Sequence, residues 1–131
     1  HSGIVVAGDA KGVALGDVNG DRWPDLIVAN NNAAMQVFEA RPPEGVTTLT
    51  IELDAPQVLC IGALVRVTLA DGRAMVREVC AGGSYLSQSS MIPQFAIPAG
   101  TTAESMTVRW SDGKMTSAKV GGDSVVMTRS D

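Results

Sequence analysis

The fold of this chain is decided by the nine residues Asp17-Val18-Asn19-Gly20-Asp21-Arg22-Trp23-Pro24-Asp25. Oxygen-bearing side chains occupy relative positions 1, 3, 5 and 9, and the backbone carbonyl of Trp23 falls at position 7. A hard cation such as Ca²⁺ takes about six to eight oxygen ligands. Three carboxylates this close in sequence repel one another unless a positive charge lies between them. The stretch therefore predicts a calcium loop whose ligands are Asp17, Asn19, Asp21, Trp23 and Asp25.

A plain turn is the alternative explanation for these residues. Asp, Asn and Gly favour turns because they form Asx-turns and tolerate left-handed backbone, although a turn needs fewer of them than this stretch holds. The helical EF-hand loop does not fit, since it requires Gly at relative position 6 and Glu at position 12. Arg22 and Val28 stand there. A dockerin-like loop fails at the same Val28, because it also needs an acidic residue at that position.

The residues around the loop form short apolar runs, at 12–16, 26–29 and 35–38. Runs of this length, bounded by Gly and Asn, predict buried strands, so the loop joins two strands of a sheet. Residues 8–40 resemble the FG-GAP or VCBS repeat, the calcium-loop blade of integrin-like β-propellers. The resemblance is carried by Gly16-Asp17-Val18-Asn19-Gly20-Asp21 and by Trp23-Pro24-Asp25-Leu26. We therefore assign residues 1–40 to one such repeat.

The pattern changes after a connector at residues 40–45 that holds two prolines and a glycine. Short, β-branched segments follow at 47–53, 63–69, 74–79, 106–110, 115–120 and 124–128. Asp71-Gly72 and Asp112-Gly113 each separate two of them, which predicts hairpins. No window shows helical periodicity. The chain is thus expected to be all-β, with a β-sandwich or small barrel over residues 46–131.

This second region resembles the ASPIC/UnbV domain, a family known from cartilage acidic protein. The matching motifs are Ile61-Gly62-Ala63-Leu64-Val65-Arg66-Val67, then residues 77–88 from Arg77 to Gln88, and Val108-Arg109-Trp110-Ser111-Asp112-Gly113. In that family the domain typically follows FG-GAP/VCBS repeats, the order found here. The family's usual His-Phe-Gly-Leu-Gly is replaced by Gln94-Phe95-Ala96-Ile97-Pro98.

The sequence offers few other candidates for functional residues. The loop around Tyr85, Ser87 and Gln88 offers groups that suit sugar or peptide hydroxyls, or it is a structural crossover that satisfies buried backbone groups. Trp110 alternates with Val108 and is expected in the core. Cys60 and Cys80 are the only cysteines. A two-residue turn at Asp71-Gly72 would offset them too far for a disulfide, but a bulge would close the gap, so the sequence leaves free and bridged states open.

Composition limits the function. The net charge of −4 and the lack of a basic run argue against nucleic acid, and no apolar stretch is long enough to cross a bilayer. The only histidine is His1, so the usual nucleophilic triads lack a base. We expect a non-catalytic, calcium-stabilised binding or adhesion module, or alternatively a structural cap that ends a β-propeller or repeat array. A protein or carbohydrate ligand, and self-association through the N-terminal strand edges, are the expected partnerships. A secreted or periplasmic location is expected, because extracellular calcium modules bind at about 10⁻⁴–10⁻³ M.

Overall fold

The computed structural model describes residues 3–83 and 85–129. Its contacts divide the chain into two compact units. The N-terminal unit is the described part of residues 1–41 together with 81–90, and the C-terminal unit is the described part of 42–80 and 91–131. The boundaries expected from sequence assign residues 81–90 to the second domain, whereas their contacts lie with the first unit. The chain therefore leaves the N-terminal unit after residue 41 and returns to it for ten residues.

The N-terminal unit contains a three-stranded antiparallel sheet in the order β1-β2-β3. Its strands are β1 (Ala10–Gly16), β2 (Asp25–Asn30) and β3 (Gln36–Phe38), which confirms the three strands predicted from the sequence. The register pairs Leu15 with Leu26 and Leu26 with Phe38. Because directly paired residues point to the same side of a sheet, these side chains share one face.

The C-terminal unit is built from two open sheets. One contains β10 (Ser124–Thr128), β4 (Thr47–Asp54) and β7 (Gln94–Ile97), in which β10 lies parallel to β4 and β7 antiparallel to it. The other contains β6 (Ala74–Glu78), β5 (Leu64–Leu69), β8 (Ala103–Arg109) and β9 (Met115–Lys119), all antiparallel. The all-β prediction is confirmed, and of its two alternatives the sandwich is correct because neither sheet closes into a barrel.

One apolar cluster joins the inner faces of these two sheets. Alternate residues of the strands supply it, including Ile51, Phe95, Val65 and Val108, all fully buried. The predicted core position of Trp110 is confirmed, since its side chain is also fully buried. The indole N–H donates to Thr116 Oγ1 at 2.8 Å, so the one polar atom of the ring is satisfied inside the core.

Both predicted hairpins form, and each has a three-residue loop instead of the two-residue turn considered for Asp71-Gly72. Leu69 N–H donates to the Arg73 carbonyl and Trp110 N–H to the Lys114 carbonyl, so three residues separate the paired positions. The third loop residue is Gly72 or Gly113, at φ of 84° and 88°. A three-residue loop of this kind requires left-handed backbone at its last position, and glycine adopts it without steric penalty.

A single helical turn and two free cysteines complete the C-terminal unit. The turn α1 (Gln57–Cys60) follows Pro56 and carries no helical periodicity in its sequence. Cys60 is buried and its thiol lies 3.5 Å from the Ala55 carbonyl, whereas Cys80 is exposed. Of the two states that the sequence left open, the structure has the free thiols. No helix among the described residues is long and apolar enough to cross a membrane.

Candidate metal centre

The predicted calcium loop connects β1 to β2. Gly16 pairs with Asp25, so the two ends of the loop lie opposite each other across the first rung of the hairpin. Within the loop, Gly20 and Arg22 have left-handed backbone, at φ of 81° and 70°. Arg22 is not a glycine, and such a conformation is uncommon for a residue with a side chain. These two residues curl the backbone back toward the start of the loop.

Asp17 holds the first half of the loop. Its Oδ1 accepts the Gly20 N–H and its Oδ2 accepts the Arg22 N–H, both at 2.8 Å. Both oxygens of the carboxylate therefore point toward the loop backbone. A carboxylate oxygen that accepts one hydrogen bond still has a second lone-pair position. The side chain thus keeps the capacity to ligate a cation.

Asn19 and Asp21 repeat this pattern further along the loop. Asn19 Oδ1 accepts the Asp21 N–H at 3.0 Å, and Asp21 Oδ1 accepts the Trp23 N–H at 2.8 Å. The Asn19 amide also donates to Asp21 Oδ2 at 3.0 Å. Both acidic side chains of the first half, Asp17 and Asp21, belong to exposed residues, and Trp23 is half-buried. The Asx-turn alternative considered from the sequence therefore describes the hydrogen bonds of this loop.

Asp25 differs from the other loop acids because it is completely buried. Its Oδ2 accepts the Val18 N–H at 3.0 Å, and its Oδ1 accepts the Ala40 N–H at 2.8 Å. The carboxylate thereby ties the start of the loop to the segment after β3. Among the residues that the structure describes, no lysine or arginine forms an ion pair with it. Burying a carboxylate carries a desolvation penalty, which the two amide donors oppose.

The residues fit a calcium ion by donor chemistry. Side-chain oxygens of Asp17, Asn19, Asp21 and Asp25 all turn onto the backbone of one short loop, and the set contains no sulfur or imidazole donor. An all-oxygen set suits Ca²⁺ or Mg²⁺ and not thiophilic metals. Over residues 3–83 and 85–129, no three His, Cys, Asp or Glu side chains are gathered into a metal cluster. The amide hydrogen bonds, not a shared centre, determine the present positions of the carboxylates.

The second predicted site, around Tyr85, Ser87 and Gln88, lies along the outer edge of β1. Ser87 Oγ donates to the Val13 carbonyl at 2.7 Å, and Ser89 Oγ accepts the Leu15 N–H at 3.0 Å. The Ser90 N–H donates to the Leu15 carbonyl at 2.8 Å. Sequence reasoning did not identify Ser89 and Ser90 as edge residues, because nothing in a serine-rich loop specifies which distant strand it meets.

Tyr85 and Gln88 remain exposed on this segment, and Tyr85 is one of the residues that line a cavity of about 450 Å³. The cavity is lined by apolar residues of the N-terminal unit, among them Val6, Val13, Leu26 and Val28. Of the predicted ligand-loop residues, Ser87 thus hydrogen-bonds to the edge of β1. Tyr85 and Gln88 are the two whose side chains face solvent.

The shifted carboxyl pKa values lie away from both sites, at the hairpin turns of the C-terminal unit. The Arg129 guanidinium hydrogen-bonds to Asp112 and lowers the pKa of that carboxyl below 3.8. A hydrogen bond from Arg73 lowers the pKa of Asp71 in the same way. These pairs hold charged side chains of the C-terminal unit against the two turns.

The chain contains an acidic-loop hairpin and an all-β sandwich, and the family comparisons agree with this combination. The model of the ASPIC and UnbV family matches residues 54–127, which is more than half of the chain, so the chain belongs to this family. The FG-GAP repeat model matches residues 12–39, upstream of it. Both resemblances given by the sequence motifs are confirmed, in the predicted order. No curated protein matches the chain.

Proposed function

We propose that this protein is a non-catalytic, calcium-stabilised extracellular module of a β-repeat protein. Its two family matches support an extracellular repeat module. The calcium proposal depends chiefly on one observation, the complete burial of the Asp25 carboxylate without a cationic side-chain partner among the described residues. A divalent ion in the loop would supply the missing positive charge.

The proposed ligands are the oxygens of Asp17, Asn19, Asp21 and Asp25 with the Trp23 carbonyl. The ion would offset the mutual repulsion of the three carboxylates. The chain itself holds the loop in shape, since Asp17 and Asp21 accept hydrogen bonds from the loop backbone and Asp25 accepts one from Ala40. Binding at about 10⁻⁴–10⁻³ M would fill the site in millimolar extracellular calcium and leave it largely empty in a cytosol, which supports a location outside the cell.

Thermal unfolding of the protein with and without calcium tests this proposal. Thermal melts of the wild type with EDTA, with millimolar Ca²⁺ and with millimolar Mg²⁺ are compared with those of Asp21→Asn. Calcium at 100 times its Kd should add about 2.7 kcal/mol to native stability, and Asp21→Asn should abolish most of that gain. Magnesium should add less, because its octahedral shell fits poorly with this oxygen set.

A matched control is Glu104→Gln, which removes one negative charge from an exposed position on β8. It should keep the full calcium response. Equal melting temperatures of the wild type in EDTA and in calcium would disprove calcium stabilisation. An equal loss of response in Asp21→Asn and Glu104→Gln would show a nonspecific charge effect instead of a site.

One observation favours a module that acts as a structural cap at the end of a repeat array. Val13 and Leu15 are 41% and 46% exposed on the sheet face that they share with Leu26 and Val28. Repeat arrays bury such faces against a neighbouring repeat, and the final unit presents polar surface outward. Contiguous exposed apolar surface marks an interaction site. The N-terminal unit would therefore cover the last sheet of an array.

Recognition or adhesion is the second candidate, favoured by Tyr85 beside the 450 Å³ cavity. Tyr85 is 72% exposed, and it is the only exposed aromatic among the described residues. Sedimentation of the chain separates the two roles. The cap predicts concentration-dependent self-association through the apolar face, lost in Val13→Lys and kept in Tyr85→Ala. A monomeric chain that binds a polysaccharide or matrix protein through Tyr85 would instead support recognition.

A further inference from the structure

The N-terminal unit has almost no core of its own. Val28 is the only buried apolar residue that it contributes among the described residues, while the apolar cluster of the C-terminal unit includes residues from both of its sheets. Its strands are short, and β3 spans only Gln36–Phe38. Small sheets of this kind are marginal in water unless another element packs on them or covers them. Something besides the hairpin must therefore stabilise this unit.

Residues 85–90 belong to this same unit and lie along the outer edge of β1. An uncovered edge strand exposes unpaired N–H and C=O groups. Here the Leu15 N–H and carbonyl and the Val13 carbonyl all have partners in Ser87, Ser89 and Ser90. The contact is also close, since a Cβ built on Gly12 would lie 3.5 Å from Ser87 Cβ and 3.6 Å from the Tyr85 carbonyl oxygen.

Both ends of this segment continue into the C-terminal unit. Residue 80 precedes the excursion and residue 91 follows it, and both neighbours belong to that unit. Leu15 also lies two residues before Asp17, so the same hydrogen bonds fix the strand end from which the acidic loop begins. Loss of the segment from β1 would leave three backbone groups of an edge strand without protein partners.

We propose that residues 85–90 are a strap through which the ASPIC/UnbV domain completes the FG-GAP sheet, so that the two units unfold as one. The serine hydroxyls take the place of a fourth strand. The FG-GAP hairpin then has no stable folded state independent of the strap. This dependence does not require calcium, so it can be tested in EDTA.

The test uses the full chain and its two tryptophans, one in each unit. Trp110→Phe leaves Trp23 as the reporter of the N-terminal unit, and Trp23→Phe leaves Trp110 as the reporter of the C-terminal unit. In EDTA, the urea transition of each single-tryptophan protein followed by fluorescence should coincide with the transition of the same protein followed by circular dichroism, which reports both units. Coincidence of independent probes is the criterion of a single cooperative transition.

The strap is then weakened by the double substitution Ser87→Ala and Ser89→Ala. The Trp23 transition should move to lower urea and separate from the Trp110 transition. Amide hydrogen exchange at Leu15 and along the β1–β2 ladder should accelerate, by about five-fold for each hydrogen bond lost. The exchange of the β5–β8 ladder should change much less.

Two further variants serve as controls. Ser117→Ala with Ser124→Ala removes two hydroxyls from strands of the C-terminal unit and should leave the Trp23 transition in step with Trp110. Ser89→Thr retains the hydroxyl that accepts the Leu15 N–H and should preserve exchange protection at Leu15. Separate transitions in the wild-type background would overturn the proposal, because the units would then be independent. So would an unmoved Trp23 transition in the Ser87→Ala, Ser89→Ala protein.

Discussion

Asp25→Asn separates the two roles that the structure gives to the Asp25 carboxylate, anchoring the loop and carrying a buried charge. Each oxygen of Asp25 now accepts one backbone amide, at 3.0 Å from Val18 and 2.8 Å from Ala40. Asparagine keeps one acceptor and places an NH₂ group against the second amide. We expect calcium to stabilise the wild type and not the variant.

The magnitudes show why the calcium response is the quantity to compare. Losing a hydrogen bond to a charged group costs about 1.5–3 kcal/mol, and the amide left unpaired adds about 1–3 kcal/mol. Removing a buried charge returns several kcal/mol. These terms oppose each other, so the change in EDTA is smaller than either. Calcium at 100 times Kd adds about 2.7 kcal/mol to the wild type alone, or about 10 °C in a chain of this size.

Urea unfolding with and without Ca²⁺ gives the calcium response of the wild type and that of Asp25→Asn. The comparison of these two responses does not depend on the stability change that the substitution causes in EDTA. Circular dichroism reports both units and does not depend on either tryptophan. Glu104→Gln serves again as the control for a lost negative charge. The reasoning is refuted if Asp25→Asn gains as much from calcium as the wild type, because the buried carboxylate would then not contribute to ion binding.

Three other outcomes follow from residues of the C-terminal unit. Iodoacetamide should modify one cysteine of the native protein, the exposed Cys80. Burial protects Cys60 and raises the pKa of its thiol. A disulfide between the two cysteines would leave no thiol to modify, which would contradict this prediction. Since the hydrogen bond from Arg129 lowers the pKa of Asp112, this pair stabilises the fold above the unfolded-state pKa and is lost as the pH falls below about 4. Asp112→Asn should therefore flatten the fall in urea midpoint between neutral and acid pH; a parallel fall would contradict this. Trp110→Ala should cost about 3–5 kcal/mol by urea unfolding, and a loss under 1 kcal/mol would contradict full burial.

The strands were predictable because their periodicity is local. Runs such as 12–16 and 124–128 alternate or are continuously apolar, and the structure has strands at both. Hairpin register was not predictable from Asp71-Gly72 alone, since a glycine suits both a two-residue turn and the third position of a three-residue turn. The parallel pairing of β10 with β4 also lies beyond local patterns, because the two strands are far apart in the chain.

Sequence spacing names the residues of the candidate site but does not give their contacts. Spacing identified the acidic loop, yet it gave Asp25 no special place among the ligands. Burial distinguishes it, and the only hint in the sequence is its position directly before the apolar run 26–29. The contact between Ser89 and Leu15 spans 74 residues. No single-sequence pattern encodes such a pairing, so the role of residues 85–90 became visible only in the folded chain.

The most direct test of the central claim is a crystal structure of the chain grown with millimolar calcium, with anomalous scattering measured for the ion. We predict an anomalous peak enclosed by the loop from Asp17 to Asp25, with side-chain oxygens of Asp17, Asn19 and Asp21 and the buried carboxylate at about 2.3–2.6 Å. An ordered loop without a peak, its acids still bound only to backbone amides, would contradict the claim.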